Sequence, residues 1–247
     1  MYSPLKQLPL RFKGELHDIV LVNFSVEMDE IADQVPRDIR IRNFEGRAMI
    51  SMVNVKLKQM RPSFLPQWSS FDYQHIGFRL LVEDHQYYEG QDRDRGIYFL
   101  DSFTTRPLMA WGGALLTDYR LQTAEIFNDQ HSLDLRKGAQ ILSYRVAENQ
   151  APEQHNHELL QTIGAIDRAY SKLGSKTRVT QIMREKWPLA PMEVLDFRTN
   201  FFRSARLEGI FRVPEIIHYN WLPPRNISVK KNDTKRIKIP KISVIKA

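Results

Sequence analysis

Runs of β-forming residues follow one another along the first half of this 247-residue chain. Residues 19–26 (IVLVNFSV), 48–57, 75–83 and 96–103 are rich in valine, isoleucine, leucine and phenylalanine, a composition typical of strands. Similar runs occur later in the sequence, and we predict strands there too. They cover residues 121–127, 139–146, 197–202, 207–213 and 216–221.

Helical spacing of apolar residues is confined to a few stretches. Residues 27–35 and 107–116 predict two short helices, each next to a proline. In residues 151–187 the pattern predicts one helix around residues 159–170 and a second over residues 177–186. The predicted order is strands, then two helices, then more strands, and strands and helices do not alternate regularly. This order favours a mainly β, α+β fold. We expect an antiparallel sheet or closed barrel with a helical insertion near residues 153–187.

Composition limits the class of protein. Hydrophobic residues make up 42% of the chain, enough for a sizeable core, and we expect one domain over residues 1–229. The chain has no cysteine, which excludes disulfides, cysteine nucleophiles and thiolate metal sites and is compatible with a reducing, cytoplasmic location. We see neither the start of a secretory signal nor an apolar run near the ~18 residues of a membrane span, so we expect a soluble protein without a membrane partner.

The positive charge is concentrated at one end of the chain. Residues 230–247 contain seven basic residues and one acid, which gives this tail +6 of the net +7 and leaves +1 for the rest. A nearly neutral body has no broad phosphate-binding face. The tail also lacks the aromatic side chains that stack on bases, so we predict no nucleic-acid partner.

The strand at residues 75–83 carries the most informative polar side chains. His75 and Arg79 share one face, roughly 13 Å apart along the strand. On the next strand, period two places Asp101 on an apolar face. Its expected neighbours on that face are Ile97, Phe99 and Phe103. An acid in such surroundings needs a partner or water, because an unpaired buried charge is costly.

Several segments occur in the order found in one known family. Five segments resemble the YqjF-like family of uncharacterised bacterial proteins. They are the stretch LVNFSVEMDEIADQVPRDIRIRNFEGRAMISMV, the strand with Arg79, the run GIYFLDS, the pair Ala110–Trp111 and the closing IIHYNW. That resemblance covers about four-fifths of the body and fits residues 151–187 poorly. It implies an acetoacetate-decarboxylase-like fold, a closed β-cone with an interior pocket, and fold alone does not transfer activity.

The chemistry of acetoacetate decarboxylase needs a lysine that forms a Schiff base with the substrate. The resemblance places that lysine near residues 118–123, where this chain has DYRLQT. No lysine occurs between Lys58 and Lys137. Arginine stays protonated and cannot replace a neutral amine nucleophile, so Arg120 cannot take this role. We therefore predict that Schiff-base decarboxylation is absent.

The resemblance and the strand faces together predict an interior pocket. Its candidate residues are polar or charged side chains expected near the cone interior: Arg79, His75, Asp101, Arg120, Tyr119 and His218. In this interpretation Arg79 binds a carboxylate, His75 exchanges a proton and Arg120 holds an anion. Structural alternatives remain open, in which Arg79 pairs with Asp101, His75 joins a polar network and Arg120 is solvated. For His218, a satisfied core histidine is the favoured interpretation.

No cofactor is predicted. His155 and His157 do not make a complete metal site, and Asn156 between them fits a helix N-cap equally well. We predict a protein that binds a small anionic or carbonyl metabolite, with non-covalent acid–base chemistry if it is catalytic. The alternative is a non-catalytic interaction protein, with Phe99 and Phe103 filling the barrel and an apolar surface patch at residues 151–187. Association into a homo-oligomer is left open.

Overall fold

The computed structural model describes residues 6, 8–88, 93–150, 157–184 and 186–227. In these ranges the chain forms sixteen strands and three short α-helices. The first eight strands are β1 (Phe12–Glu27), β2 (Arg40–Ile41), β3 (Asn43–Phe44), β4 (Arg47–Pro62), β5 (Phe71–Glu83), β6 (Gly96–Thr104), β7 (Leu121–Thr123) and β8 (Glu125–Asn128). The others are β9 (Ser132–Lys137), β10 (Gln140–Gln150), β11 (Arg168–Leu173), β12 (Lys176–Arg184), β13 (Ala190–Thr199), β14 (Arg206–Val213), β15 (Ile217–Trp221) and β16 (Arg225–Asn226). The helices are α1 (Met28–Ile31), α2 (Pro107–Leu116) and α3 (His157–Gly164).

Seven strands form a closed barrel. β4, β5, β6, β11, β12, β15 and β1 are neighbours in that order, and the pairing of β1 with β4 closes the ring. Neighbouring strands in the ring are antiparallel, except that β6 and β11 run parallel. The prediction of a mainly β, closed barrel is confirmed, with one parallel pair among the antiparallel ones.

A second sheet branches from the barrel at β1. Residues 12–16 of this long strand pair with β15, whereas residues 19–25 pair with β14. From β14 the sheet continues through β13, β10, β9 and β8. Its inner face supplies Leu135, Leu142 and Tyr144 to a core that also contains Phe24 and Phe78 of the barrel strands. The extension therefore covers part of the barrel's outer surface.

The barrel wall consequently separates two cores. In β1, Ile19 and Leu21 belong to the cluster inside the barrel, while Val22 and Phe24 belong to the cluster between barrel and second sheet. Successive side chains of a strand point to opposite faces, so a strand that is buried on both sides shows a continuous apolar run. This explains the composition of IVLVNFSV.

The predicted helices in residues 151–187 are only partly confirmed. Helix α3 exists, but residues 168–173 and 177–184 lie in strands β11 and β12 of the barrel, so the helix over residues 177–186 is wrong. Residues 168–171 are buried on both faces of β11, and the resulting run of buried residues imitates helical spacing. In β12, the β-branched residues Thr177, Val179 and Thr180 favour a strand.

Other segments agree with the sequence or lie beyond the described ranges. Helix α2 spans the predicted residues 107–116, and α1 with a following 3-10 turn occupies residues 28–34. Strand β9 was not predicted. The basic tail, residues 230–247, lies outside the described residues. None of the helices in the described part of the chain is long and apolar enough to cross a lipid bilayer.

Candidate functional site

A row of three polar side chains crosses neighbouring strands inside the barrel. In the register of the sheet, Asn23 of β1 is opposite Ser51 of β4, and Ser51 is opposite Arg79 of β5. The residues next to them in sequence, such as Val22, Ile50 and Phe78, point to the outer core, so the row points inward. Asn23 and Ser51 are completely buried.

Arg79 carries the charge of this row. Its side chain is buried, with the whole residue 5% exposed, and it donates from Nε to the Ser51 carbonyl oxygen at 3.0 Å and from Nη2 to Ser51 Oγ at 2.8 Å. Within the described ranges, no carboxylate lies within ion-pair distance of the Arg79 guanidinium. Burial, and then the positive charge of Arg184, lower the pKa of Arg79 to about 9. Arg79 thus remains protonated at neutral pH.

Trp187 packs between two arginines. The guanidinium carbon of Arg79 is 5.3 Å from the centroid of the indole ring, and that of Arg184 is 4.2 Å away. Arg184 also donates to the Ile166 carbonyl oxygen at 2.5 Å, and burial lowers its pKa to about 10. Trp187 Nε1 is buried, and no acceptor in the described part of the chain takes its hydrogen.

His75 lies on the same strand as Arg79 and faces the same interior. Its ring contacts Phe99, with 6.4 Å between the ring centroids. Gly77 makes this contact possible, because a Cβ there would lie 2.8 Å from Phe99 Cε1 and 3.2 Å from His75 Cε1. Burial, followed by the charge of Arg79, lowers the pKa of His75 to about 4. The imidazole is therefore neutral at pH 7.

An aromatic group connects this interior to the surface. Tyr119 packs edge-on against Phe99 at 4.9 Å and against Trp221 at 5.3 Å. Tyr119 and Trp221 also line a narrow cleft, together with Leu10 and Phe12. Burial raises the pKa of Tyr119, so its hydroxyl stays protonated. A second cleft, of about 150 Å³, lies at Arg168 and Arg225, and Arg79 lines neither of these two clefts.

Asp101 does not share a face with Phe99, and the predicted common face is wrong. Phe78 pairs with Asp101 and Arg79 pairs with Phe99, so Leu100 is an extra residue in β6. Such a bulge reverses the alternation of side chains along the strand. Asp101 consequently lies on the outer side of the barrel wall.

The predicted pairing of Arg79 with Asp101 is therefore not formed. Asp101 instead accepts a hydrogen bond from Gln122 Nε2 at 2.9 Å. Burial raises the pKa of Asp101, against the opposing charge of Arg120. Arg120 itself is exposed to solvent. These two charges form a group outside the barrel, separate from the interior row.

His218 is not a core residue, contrary to the favoured interpretation of it. It lies between Ile217 and Tyr219, which point into the barrel, so alternation in β15 directs it outward. Its side chain is 70% exposed, with Nδ1 3.8 Å from Glu15 Oε1.

The segment that the resemblance assigns to the decarboxylase lysine holds a buried ion pair instead. Asp118 Oδ2 is 3.1 Å from Arg178 Nη1 and accepts a hydrogen bond from Ser171 Oγ at 3.0 Å. The next side chain, Tyr119, is the one that enters the barrel. Among the described residues, no three histidine, aspartate or glutamate side chains are grouped so that they could hold a metal ion.

Four site residues were missed in the sequence. Asn23 and Ser51 are polar residues inside apolar strands, and this is the signal that could have identified them. Arg184 and Trp187 were placed in or beside a helix that does not exist, so their side chains could not be assigned to the barrel interior.

Comparison with known proteins gives a family and a fold. The sequence profile of DUF2071, a family of uncharacterized conserved proteins, matches residues 13–221, which include the whole interior site. No curated protein sequence is significantly similar to the chain.

Solved structures similar to this chain belong to the acetoacetate-decarboxylase-like fold. Acetoacetate decarboxylase from Legionella pneumophila subsp. pneumophila str. Philadelphia 1 has a TM-score of 0.56 at 12% identity, covering 90% of this chain and 88% of its own. An acetoacetate decarboxylase-like enzyme from Sphingomonas wittichii RW1 has a TM-score of 0.55 at 8% identity, covering 92% and 96%. The enduracididine biosynthesis enzyme MppR complexed with pyruvate has a TM-score of 0.53 at 12% identity, covering 93% and 92%. At such identities the likeness shows the fold alone, and it confirms the fold predicted from sequence.

Proposed function

Because the chain belongs to the DUF2071 family of uncharacterized conserved proteins, we propose a function from the geometry of its own site. The protein binds a small anionic metabolite inside its barrel, and the carboxylate of that metabolite pairs with Arg79. One observation carries this proposal. Arg79 is a buried guanidinium in the barrel interior, and the described residues supply hydrogen-bond acceptors to it from Ser51 but no counter-ion.

The charge of Arg79 has no carboxylate partner among the described residues. Moving an ion out of water costs several kcal/mol, and buried charges are usually paired for that reason. Ser51 occupies Nε and Nη2 of Arg79, so Nη1 is available to a ligand. Carboxylates are the preferred partners of arginine because two oxygens can accept from one guanidinium. Trp187 Nε1, buried in the same part of the barrel, offers a further donor to such a ligand.

The site favours binding over acid–base catalysis. A general base works best when its pKa is near the operating pH. His75, with a pKa lowered to about 4, is a weak base at pH 7, although it can donate or accept hydrogen bonds as a neutral ring. The ligand of MppR, pyruvate, is a small carboxylate, and it therefore supplies a first probe for this chain.

A second candidate is the non-catalytic interaction protein, and the packing of aromatic rings in the barrel favours it. Phe99, Tyr119 and Trp221 are in mutual contact there. Exposed apolar side chains occur at Phe64 and Trp68, which are 70% and 87% exposed. In residues 151–187, where that interpretation predicted an apolar patch, Met183 is the large exposed apolar side chain among the described residues. Ligand binding decides between the two candidates.

The test is isothermal titration and thermal unfolding with acetate, propionate, pyruvate and lactate. The proposal predicts that at least one of them binds and raises the midpoint of unfolding of the wild-type protein. Arg79→Met should abolish the effect. Arg79→Lys keeps the charge but lacks the planar fork, and it should weaken the effect. The control is Arg120→Met, because Arg120 is exposed and outside the barrel.

Two results would overturn the proposal. One is the absence of binding by any carboxylate to a folded wild-type protein. The other is binding that Arg79→Met leaves unchanged. Either result would favour the filled, non-catalytic barrel.

A further inference from the structure

The amide of Asn23 has one satisfied end and one unsatisfied end. Asn23 is completely buried, and its Nδ2 donates to the Gly209 carbonyl oxygen at 3.4 Å. Its Oδ1 is buried without a hydrogen-bond donor among the described residues. The orientation of the amide follows from chemistry, because a carbonyl oxygen only accepts and must face the NH₂ group. The free atom is therefore an acceptor on a side chain that lies on the inward face of β1.

The residue that carries this acceptor lies in the same cross-strand row as Arg79. Asn23, Ser51 and Arg79 lie opposite one another on three adjacent strands. Adjacent strands are about 4.8 Å apart, so the Cα atoms of Asn23 and Arg79 are separated by roughly 10 Å. The Arg79 side chain turns toward Asn23, because its Nη2 donates to Ser51 on the strand between them.

From this juxtaposition we infer the class of ligand: a small hydroxycarboxylate, whose carboxylate pairs with Arg79 and whose hydroxyl donates to Asn23 Oδ1. The inference rests on the proposed function, because it uses the same anion site. It adds that the ligand must carry a hydrogen-bond donor near its carboxylate. A ligand that satisfies Oδ1 removes the cost of a buried, unpaired acceptor.

Other substituents fit the site less well. The oxygen of a 2-oxo acid only accepts, so it would face Asn23 Oδ1 without a hydrogen between them. An ammonium group donates, but it would be placed near the positive charges of Arg79 and Arg184, which repel it. A hydroxyl group donates without adding charge.

Four acids of similar size test the inference by titration calorimetry. Lactate, pyruvate, propionate and alanine differ in the substituent next to the carboxylate: hydroxyl, carbonyl, hydrogen and ammonium. We expect lactate to bind wild-type protein about tenfold more tightly than propionate, and pyruvate and alanine to bind no better than propionate. Asn23→Leu, which keeps the shape but removes the acceptor, should reduce lactate affinity to that of propionate. Ser132→Ala, a change at the start of β9 outside the barrel, serves as the control and should keep the preference for lactate.

The outcomes separate the two proposals. If propionate and lactate bind equally to the wild-type protein, the anion site stands, water satisfies Oδ1 and the inference is overturned. If none of the four acids binds, the anion site itself is absent. The comparison within wild-type protein needs no variant, so it remains decisive even if Asn23→Leu fails to fold.

Discussion

Arg79 and Trp187 are in direct contact inside the barrel, with 5.3 Å between the guanidinium carbon and the centroid of the indole ring. Arg184 contacts the same ring at 4.2 Å. The indole thus contacts two positively charged groups in the barrel interior. An aromatic ring attracts cations over its face, so Trp187 partly stabilises both guanidinium groups.

Replacing Trp187 by alanine should have two effects. We expect a loss of about 3 kcal/mol in the free energy of unfolding, because a buried side chain is removed and a cavity is left. The variant also lacks the indole N–H that is offered to the ligand, so acetate should stabilise it less than it stabilises the wild-type protein. Urea unfolding with and without acetate measures both effects. Trp111, which is 65% exposed, provides the control, and Trp111→Ala should change stability little. Equal stabilisation by acetate of Trp187→Ala and wild type would contradict the prediction.

The pH dependence of stability should reveal His75. Its pKa is lowered to about 4 in the folded protein, below the ordinary value of 6.5. The unfolded chain therefore binds a proton that the folded protein excludes, and stability present above pH 6.5 is lost as the pH falls toward 4. This contribution is roughly 3 kcal/mol, because one pKa unit corresponds to about 1.4 kcal/mol. Urea unfolding at pH 7 and at pH 4.5 should show a smaller acid-induced loss for His75→Gln than for wild type. His218→Gln, at an exposed histidine, should retain the full loss.

The sequence predicted the barrel strands well where both faces are buried, as in residues 19–26 and 48–57. The prediction of side-chain direction failed where a single inserted residue changes the alternation along a strand. The bulge at Leu100 turns Asp101 away from the interior, and no residue type in GIYFLDS marks that insertion. β11 and β12 were missed as strands because an isolated segment shows its apolar spacing but not the neighbours with which it pairs. The site was therefore only partly predictable, with Arg79, His75 and Tyr119 found and Asn23, Ser51 and Trp187 not found.

Gly77 should be sensitive to the addition of one methyl group. A Cβ at this position would lie 2.8 Å from Phe99 Cε1, so Gly77→Ala should destabilise the protein by about 1–3 kcal/mol. Combining it with Phe99→Leu should recover part of the loss, and a double-mutant cycle by urea unfolding measures that coupling. Gly112→Ala in helix α2 is the control, because a Cβ there meets no atom within 4 Å and alanine favours a helix. Strict additivity of the two barrel substitutions would contradict the proposed contact.

A lysine can be introduced where the acetoacetate-decarboxylase-like fold is expected to carry its Schiff-base lysine. The residue to replace is Tyr119, whose side chain enters the barrel from residues 118–123. Tyr119 packs against Phe99 and Trp221, so Tyr119→Lys places an amine in the interior. Burial lowers the pKa of an amine and increases its neutral, nucleophilic form. We expect pyruvate with cyanoborohydride to modify this lysine, and mass spectrometry of peptides to locate the adduct. In wild-type protein, the segment 118–123 has no lysine and should remain unmodified. Arg120→Lys is the control, because an exposed lysine at that position stays protonated and should react far more slowly. Comparable labelling of the two variants would show that Tyr119 does not direct its side chain into a secluded interior.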